Sequence, residues 1–172
     1  LDERGSASAP AAKVKAANPV SPLAPKGGFP ALPVIAGVEF AAVEAGVRYA
    51  NRKDVMLVRL APGSTVAGAF ARSTTRAACV LDCQAKLAGK VDGSAGAAII
   101  VNSGNSNAFT GSIGQTAVDE VTSAVAKALD MPISRVFSSS TGVIGEPLPY
   151  ERITAKVGDL VYALDEGGIE MA

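Results

Sequence analysis

The sequence predicts an α/β fold in which sheets and helices lie in layers, and three observations carry that expectation. Hydrophobic residues make up 48% of the 172 residues, but aromatics only 5%, and Trp is absent. A core of this kind is built from closely packed Ala, Val, Ile and Leu, which suits sheet laid on helix. Short β-rich runs such as "DVMLVRL" and "AAIIV" alternate with one long stretch of helical period, "TAVDEVTSAVAKAL". A short strand, a hydroxyl run with glycines and a second helical stretch then follow one another around "SSSTGVIGEPLP", Ser138 to Pro149. The length fits one domain, or one half of a larger two-chain fold.

Taken in order, residues 1–28, "LDERGSASAPAAKVKAANPVSPLAPKGG", are rich in Ala, Pro, Ser and Gly and show neither period; they read as a mobile tail before a domain spanning 29–172. Apolar positions become denser from Val34. Asp54–Leu60 and Thr65–Phe70 flank the turn residues Ala61-Pro62-Gly63-Ser64, which predicts a hairpin. Ala97–Val101 is apolar at every position and predicts a strand covered on both faces. It ends in "NSGNSNAFTG". Val118, Val121, Val125, Ala128 and Leu129 lie on one face of a helix, with Asp119, Glu120, Ser123 and Lys127 on the other. Thr116 and Asp119 resemble a capping box, and Pro132 stops the helix. A short strand through Arg135-Val136-Phe137 leads into the hydroxyl run. Pro149 then opens a second helix, whose apolar positions are Ile153, Val157, Leu160 and Leu164.

Composition excludes several function classes. Lys plus Arg equals Asp plus Glu, 16 against 16, with the signs interspersed. No basic stripe exists to neutralise phosphates along a nucleic acid. Apolar runs are far shorter than the ~20 residues of a membrane span, no signal peptide opens the chain, and two cysteines make no disulfide framework. A cytoplasmic location is expected. Histidine is absent, so a Ser-His-Asp or Cys-His site cannot be built within the chain. Cys79 and Cys83 form a lone C-x3-C without a second ligand pair and read as small buried or half-buried residues. Walker, G-x-G-x-x-G and Ser-x-x-Lys patterns are missing too. Neither metal nor cofactor is expected.

The hydroxyl run admits three chemical readings. A strand ending in a glycine turn before a helix exposes backbone N–H groups, and Gly142 and Gly145 would allow a ligand close approach. As a phosphate cradle it would need Arg135 or Arg152 to fold back and answer the charge. As a nucleophile, Ser140 or Thr141 would need a base, and none is adjacent. As a charge stabiliser, the Thr141 hydroxyl and the Gly142 N–H need no base at all. Against these stands the plain reading that Ser138 to Thr141 form an edge strand and the glycines a turn. Asn102, Asn105 and Asn107 pose the same choice between side-chain turns and a site lining.

Read together, "SPLAPKGGFPALPVIAGVEFA", "GVRYANRKDVMLV", "STVAGAFARSTTRAACV", "AAIIVNSGNSNAFTG" and "SSSTGVIGEPLP", in that order, strongly resemble the α chain of the bifunctional ornithine acetyltransferase, or glutamate N-acetyltransferase, family of arginine biosynthesis. The resemblance runs from Ser21 to about Leu164. It implies acetyl transfer from N-acetylornithine to glutamate, with acetyl-CoA as a further acetyl donor in bifunctional members. It also implies a precursor that cuts itself at an Ala-Thr bond. The α and β chains then stay together as an α2β2 assembly, and the β chain completes the layered sandwich. The new N-terminal Thr of the β chain is the nucleophile in this family, with its own α-amine as base. The family's oxyanion pair falls on Thr141 and Gly142. Family members continue past the second helix through substrate-binding threonine and lysine positions, and that region is not recognisable before Ala172. The resemblance therefore implies a truncated α piece. The competing class is a non-catalytic module that binds an anion or phosphate.

Overall fold

The computed structural model describes residues 21–28, 30–89, 93–170 and 172. The tail expected over 1–28 falls largely on residues 1–20, outside the described residues. The described residues divide into two units, one within 21–31 and the other within 32–172. In the first, the chain makes successive turns closed by Ala24 N to Ser21 O (2.9 Å) and Gly28 N to Pro25 O (3.0 Å).

The second unit is built on a four-stranded sheet of β1 (Val38–Val43), β2 (Val55–Leu60), β3 (Ala97–Asn105) and β4 (Val136–Val143), ordered β1-β2-β3-β4. The pairs β1/β2 and β2/β3 are antiparallel, and β3/β4 is parallel. A parallel neighbour needs a crossover connection, and α2 (Gly111–Leu129) supplies it; α1 (Ala78–Ala88) precedes β3, and α3 (Tyr150–Thr154) and α4 (Val157–Tyr162) follow β4. Mixed sheet and helix layers are thus what the composition and the alternating periods predict.

The core lies on one sheet face, where Ala41, Leu57, Ala98, Ile100 and Val136 meet Val121 and Val125 of α2, Ile153 of α3, and Val157 and Leu160 of α4. Each of the valine, leucine and isoleucine side chains, fully buried, contributes roughly 1.5–3 kcal/mol. The small cluster Ala78, Cys79 and Val118 joins α1 to α2. Buried Arg135 donates from Nε to Gly96 O and from Nη2 to Ser64 O (2.8 Å), tying the turn after β2 to the start of β3. Among the described residues no helix is long and apolar enough to cross a membrane.

Four local expectations change. The hairpin does not form: β2 is flanked by β1 and β3, so neither of its edges is left for Thr65–Phe70, which runs without strand pairing. The turn itself is present, with Ser64 N donating to Ala61 O (3.2 Å). In β3, Ala98 and Ile100 are buried but Ile99 and Val101 are only half-buried, because α2, α3 and α4 all pack on the other face; the continuous apolar run reflects a central strand covered on one side. Helix α2 starts at Gly111, so Thr116 lies inside it and bonds Ser112 O (3.2 Å) in place of capping. Asp130, left-handed at φ 50°, closes that helix just before Pro132. Val118, Val121 and Val125 are buried as predicted, while Ala128 is exposed. The second helix is broken between Thr154 and Val157 into α3 and α4, yet Ile153, Val157 and Leu160 stay on one buried line.

Candidate active site

In α/β sheets, ligand sites gather beyond the carboxyl ends of parallel strands, and here that place is the shared end of β3 and β4. The strands run in register from Ala98 opposite Val136 to Ser103 opposite Thr141 and Gly104 opposite Gly142, then slip where Asn105 faces both Thr141 and Val143. Such a bulge bends the strand and re-aims its side chains. Gly142, at φ 136°, is required there: a Cβ would lie 2.3 Å from the Gly104 carbonyl carbon and 2.6 Å from Asn105 N. The sequence reading made Gly142 a residue that admits a ligand. In the structure it is the backbone of β3 that excludes a side chain at this position.

The hydroxyl run is itself the edge strand, and β4 extends through Val143 rather than ending at Phe137. Strand alternation divides its side chains. Ser140 turns to the core side and donates to Asn102 Oδ1 (2.6 Å). Ser138 Oγ is buried there without a partner among the described residues. Ser139 and Thr141 are exposed. Thr141, Gly142 and Val143 line an open cleft of about 360 Å³ with Tyr49, Arg52, Ser103 and Gly104. Arg52 Nη2 donates to Ser103 Oγ (2.7 Å), and its guanidinium carbon lies 5.0 Å from the Tyr49 ring centre. Motif reasoning missed Tyr49 and Arg52; the only signal was a basic and aromatic cluster, "VRYANRK", between two strands.

Three buried asparagines hold the strand ends. Asn102 Nδ2 donates to Asn105 O (2.9 Å), and Asn105 Nδ2 to Glu146 O (3.0 Å) and Pro147 O (3.2 Å). Asn105 Oδ1 accepts from Asn107 N (2.7 Å), while Asn107 Nδ2 donates to Gly114 O (2.9 Å) and Asn107 Oδ1 accepts from the Thr110 hydroxyl (2.9 Å). Ser106 adds N–H and Oγ bonds to Val143 O (2.9 and 2.8 Å). The asparagines are not isolated turn formers, and none of them lines the Thr141 cleft. They connect β3, the loop after β4 and the start of α2, satisfying backbone groups that burial would otherwise leave unpaired.

The phosphate reading loses its parts. Arg135 is spent on Gly96 O and Ser64 O, Arg152 donates to Gly46 O, and the Gly145 N–H is taken by Ala108 O (2.9 Å). The nucleophile reading fares no better, since Ser140 bonds a neutral amide and no base lies beside Thr141 among the described residues. Arg48 pairs with Glu146, whose hydrogen bond and charge raise the Arg48 pKa. Cys79 is buried and Cys83 half-buried, as expected, and burial pushes both thiols up; Cys83 Sγ donates to Ser138 O (3.4 Å).

What fold and site define is an α/β chain with a threonine-lined cleft at the end of a parallel strand pair and, among the described residues, no carboxylate or lysine lining it. The sequence profile of the ArgJ family matches residues 39–172, and the chain belongs to that family. The arginine biosynthesis bifunctional protein ArgJ of Ruegeria pomeroyi is 63% identical over 153 residues, which is 89% of this chain and 37% of the relative. Its namesake in Bradyrhizobium diazoefficiens is 46% identical over 148 residues, 86% of this chain and 35% of the relative. The chain thus spans little more than a third of these relatives' length. Among solved structures, ornithine acetyltransferase of Mycobacterium tuberculosis complexed with ornithine superposes with a TM-score of 0.71 at 34% identity, covering 78% of this chain and 72% of that one. The Bacillus halodurans ArgJ gives a TM-score of 0.64 at 31% identity, covering 73% and 63%.

Proposed function

We propose that this chain supplies the oxyanion-stabilising part of an acetyltransferase that moves an acetyl group from N-acetylornithine to glutamate, with acetyl-CoA as an alternative donor. The observation that carries the reading is the Thr141 hydroxyl, exposed on the cleft at the β3/β4 end beside Gly142 and adjacent to no base. A group so placed can donate to developing negative charge, and it is a poor nucleophile.

The nucleophile is the N-terminal Thr of a partner chain cut from the same precursor, and two copies of each chain make an α2β2 assembly. Its hydroxyl oxygen attacks the acetyl carbonyl of N-acetylornithine while its α-amine, of unperturbed pKa about 8, takes the proton. The carbonyl electrons move onto oxygen, which accepts hydrogen bonds from the Thr141 hydroxyl and the Gly142 N–H. Collapse expels ornithine, whose amine receives the proton, and leaves the acetyl ester on the partner. The amine of glutamate then attacks that ester through the same oxyanion site; collapse breaks the ester C–O bond, the α-amine passes the proton of the attacking amine to the threonine oxygen, and N-acetylglutamate leaves. Because only hydrogen-bond donors are asked of this chain, its lack of histidine is no obstacle. A cytoplasmic location accords with this role.

The test is where the acetyl group rests. Incubating the complete enzyme with acetyl-labelled N-acetylornithine and no glutamate places one covalent acetyl on the partner's N-terminal Thr and none on this chain. Label on a peptide between Ser138 and Gly145 would make the hydroxyl run the nucleophile and overturn the assignment. A non-catalytic anion-binding module is the rival reading, and the absence of any acetyl-enzyme would favour it.

A further inference from the structure

Arg52 is the arginine that lines the Thr141 cleft; Arg72 and Arg76, the latter donating to Gln84 Oε1 (2.7 Å), also have no carboxylate partner among the described residues but do not line it. Arg48 is paired with Glu146 and Arg59 with Glu39, Arg135 is buried on carbonyl oxygens, and Arg152 donates to Gly46 O. Arg52 lines the cleft, and no carboxylate of the described residues pairs with it. Its partners are neutral: the Ser103 hydroxyl at 2.7 Å and the Tyr49 ring at 5.0 Å. A guanidinium carries five N–H donors in a planar fork. One is used here by Ser103, while the aromatic contact fixes the plane.

The sheet sets where this cation sits. Ser103 is directly opposite Thr141 across the parallel pair, so the hydroxyl that Arg52 holds and the hydroxyl of Thr141 share one face about one strand spacing apart, ~4.8 Å. A ligand whose acyl oxygen rests at Thr141 therefore presents its near neighbours to Arg52. In N-acetylornithine and in glutamate, the carbon bonded to the reacting nitrogen also carries a carboxylate. It is the charged group common to donor and acceptor and close to the acyl group in both.

We propose that Arg52 receives the α-carboxylate of the amino-acid substrates, held in place by Ser103 and Tyr49. The proposal rests on the acetyl-transfer reading above and assigns a substrate-recognition residue to this chain. Planar Arg-carboxylate pairing is directional, so Arg52 both retains the substrate and turns its nitrogen toward the acyl ester. It also explains why a cleft otherwise lined by backbone, hydroxyls and one ring keeps a cation without an acidic partner.

The experiment compares glutamate with 4-aminobutyrate, which is glutamate without its α-carboxylate, as ligands of the complete enzyme. Binding is measured by calorimetry and acetyl transfer is measured separately. The unsubstituted enzyme binds glutamate more tightly. In Arg52→Ala, glutamate binding weakens about 10- to 100-fold, the usual worth of a hydrogen-bonded charge pair, while 4-aminobutyrate binding is unchanged. Arg52→Lys recovers part of the loss. Equal effects on both ligands, or none on either, would overturn the carboxylate site even if acetyl transfer proceeds. Discrimination that depends on Arg52 in an enzyme that transfers no acetyl group would refute the reaction and leave the site standing.

Discussion

Replacing Asn102 by Ala tests whether the asparagine network is what holds the end of β4. Asn102 is 5% exposed and makes two side-chain bonds, accepting from Ser140 Oγ at 2.6 Å and donating to Asn105 O at 2.9 Å. Its loss leaves a hydroxyl and a carbonyl without their partner in a buried setting, about 1–3 kcal/mol for each, so the sum is about 2–6 kcal/mol. Ser140→Ala abandons only Asn102 Oδ1, about 1–3 kcal/mol. The double variant should cost less than Asn102→Ala alone, because removing Ser140 Oγ also removes the hydroxyl that Asn102→Ala leaves unpaired, so the coupling in the cycle is larger than the Ser140 effect itself. Urea unfolding of the complete protein gives the midpoints. Amide exchange at residues 143–148 gives the local opening, which should speed up more than exchange in β1 and β2. Additive single effects, or a change below about 0.5 kcal/mol in Asn102→Ala, the range of ordinary surface substitutions, would refute the network as the holding element.

Thr141→Val lowers kcat by roughly 10²- to 10³-fold, the loss typical of one oxyanion donor, with little change in KM for glutamate. Because the proposed self-cleavage of the precursor would also pass through an oxyanion, processing is first checked by gel, and an unchanged kcat in processed enzyme would remove Thr141 from the chemistry. Gly142→Ala forces a Cβ against the Gly104 carbonyl at a φ of 136°, costing about 2–4 kcal/mol in backbone strain and overpacking; thermal unfolding at the unsubstituted midpoint would show that β3 can give way. On the proposed mechanism, in which hydroxyl and amide donors supply the charge stabilisation, EDTA leaves acetyl transfer by the complete enzyme unchanged; activity lost on chelation and restored by zinc or magnesium would contradict that.

The sequence made the layered fold legible because two periods of different length alternate along the chain. The buried line Val118-Val121-Val125 and the line Ile153-Val157-Leu160 could both be read from spacing alone. Partner choice could not. Asp54–Leu60 and Thr65–Phe70 look like a hairpin locally, but β2 takes both its neighbours from elsewhere, β1 before it and β3 well after, and long-range pairing leaves no mark at the turn. At the site, the hydroxyl run and its glycines were visible as a motif, whereas Tyr49 and Arg52 carry no spacing signature. They reach the cleft only because the loop between β1 and β2 passes over the end of β3.

The same limit explains why the run of four hydroxyls could not be parsed without a register. In a strand, neighbours point to opposite faces, so Ser138, Ser139, Ser140 and Thr141 are chemically similar but structurally two pairs. Opposite Asn102, Ser140 is drawn into the core-side network and its proton is committed to Asn102 Oδ1. Opposite Ser103, Thr141 falls on the cleft with its hydroxyl clear of that network. A slip of one residue would exchange them, burying the threonine methyl among polar amides and placing Ser140 on the cleft. What prevents the slip is the glycine pair at the strand ends: Gly142 sits at the bulge against Gly104, where a residue with a side chain cannot be accommodated at 2.3 Å from the opposing carbonyl carbon. Val143 or Thr141 shifted into that position would collide. The glycine thereby fixes the parity of β4 and so which of four neighbouring hydroxyls lies on the cleft, which is the one the proposed mechanism needs as a donor.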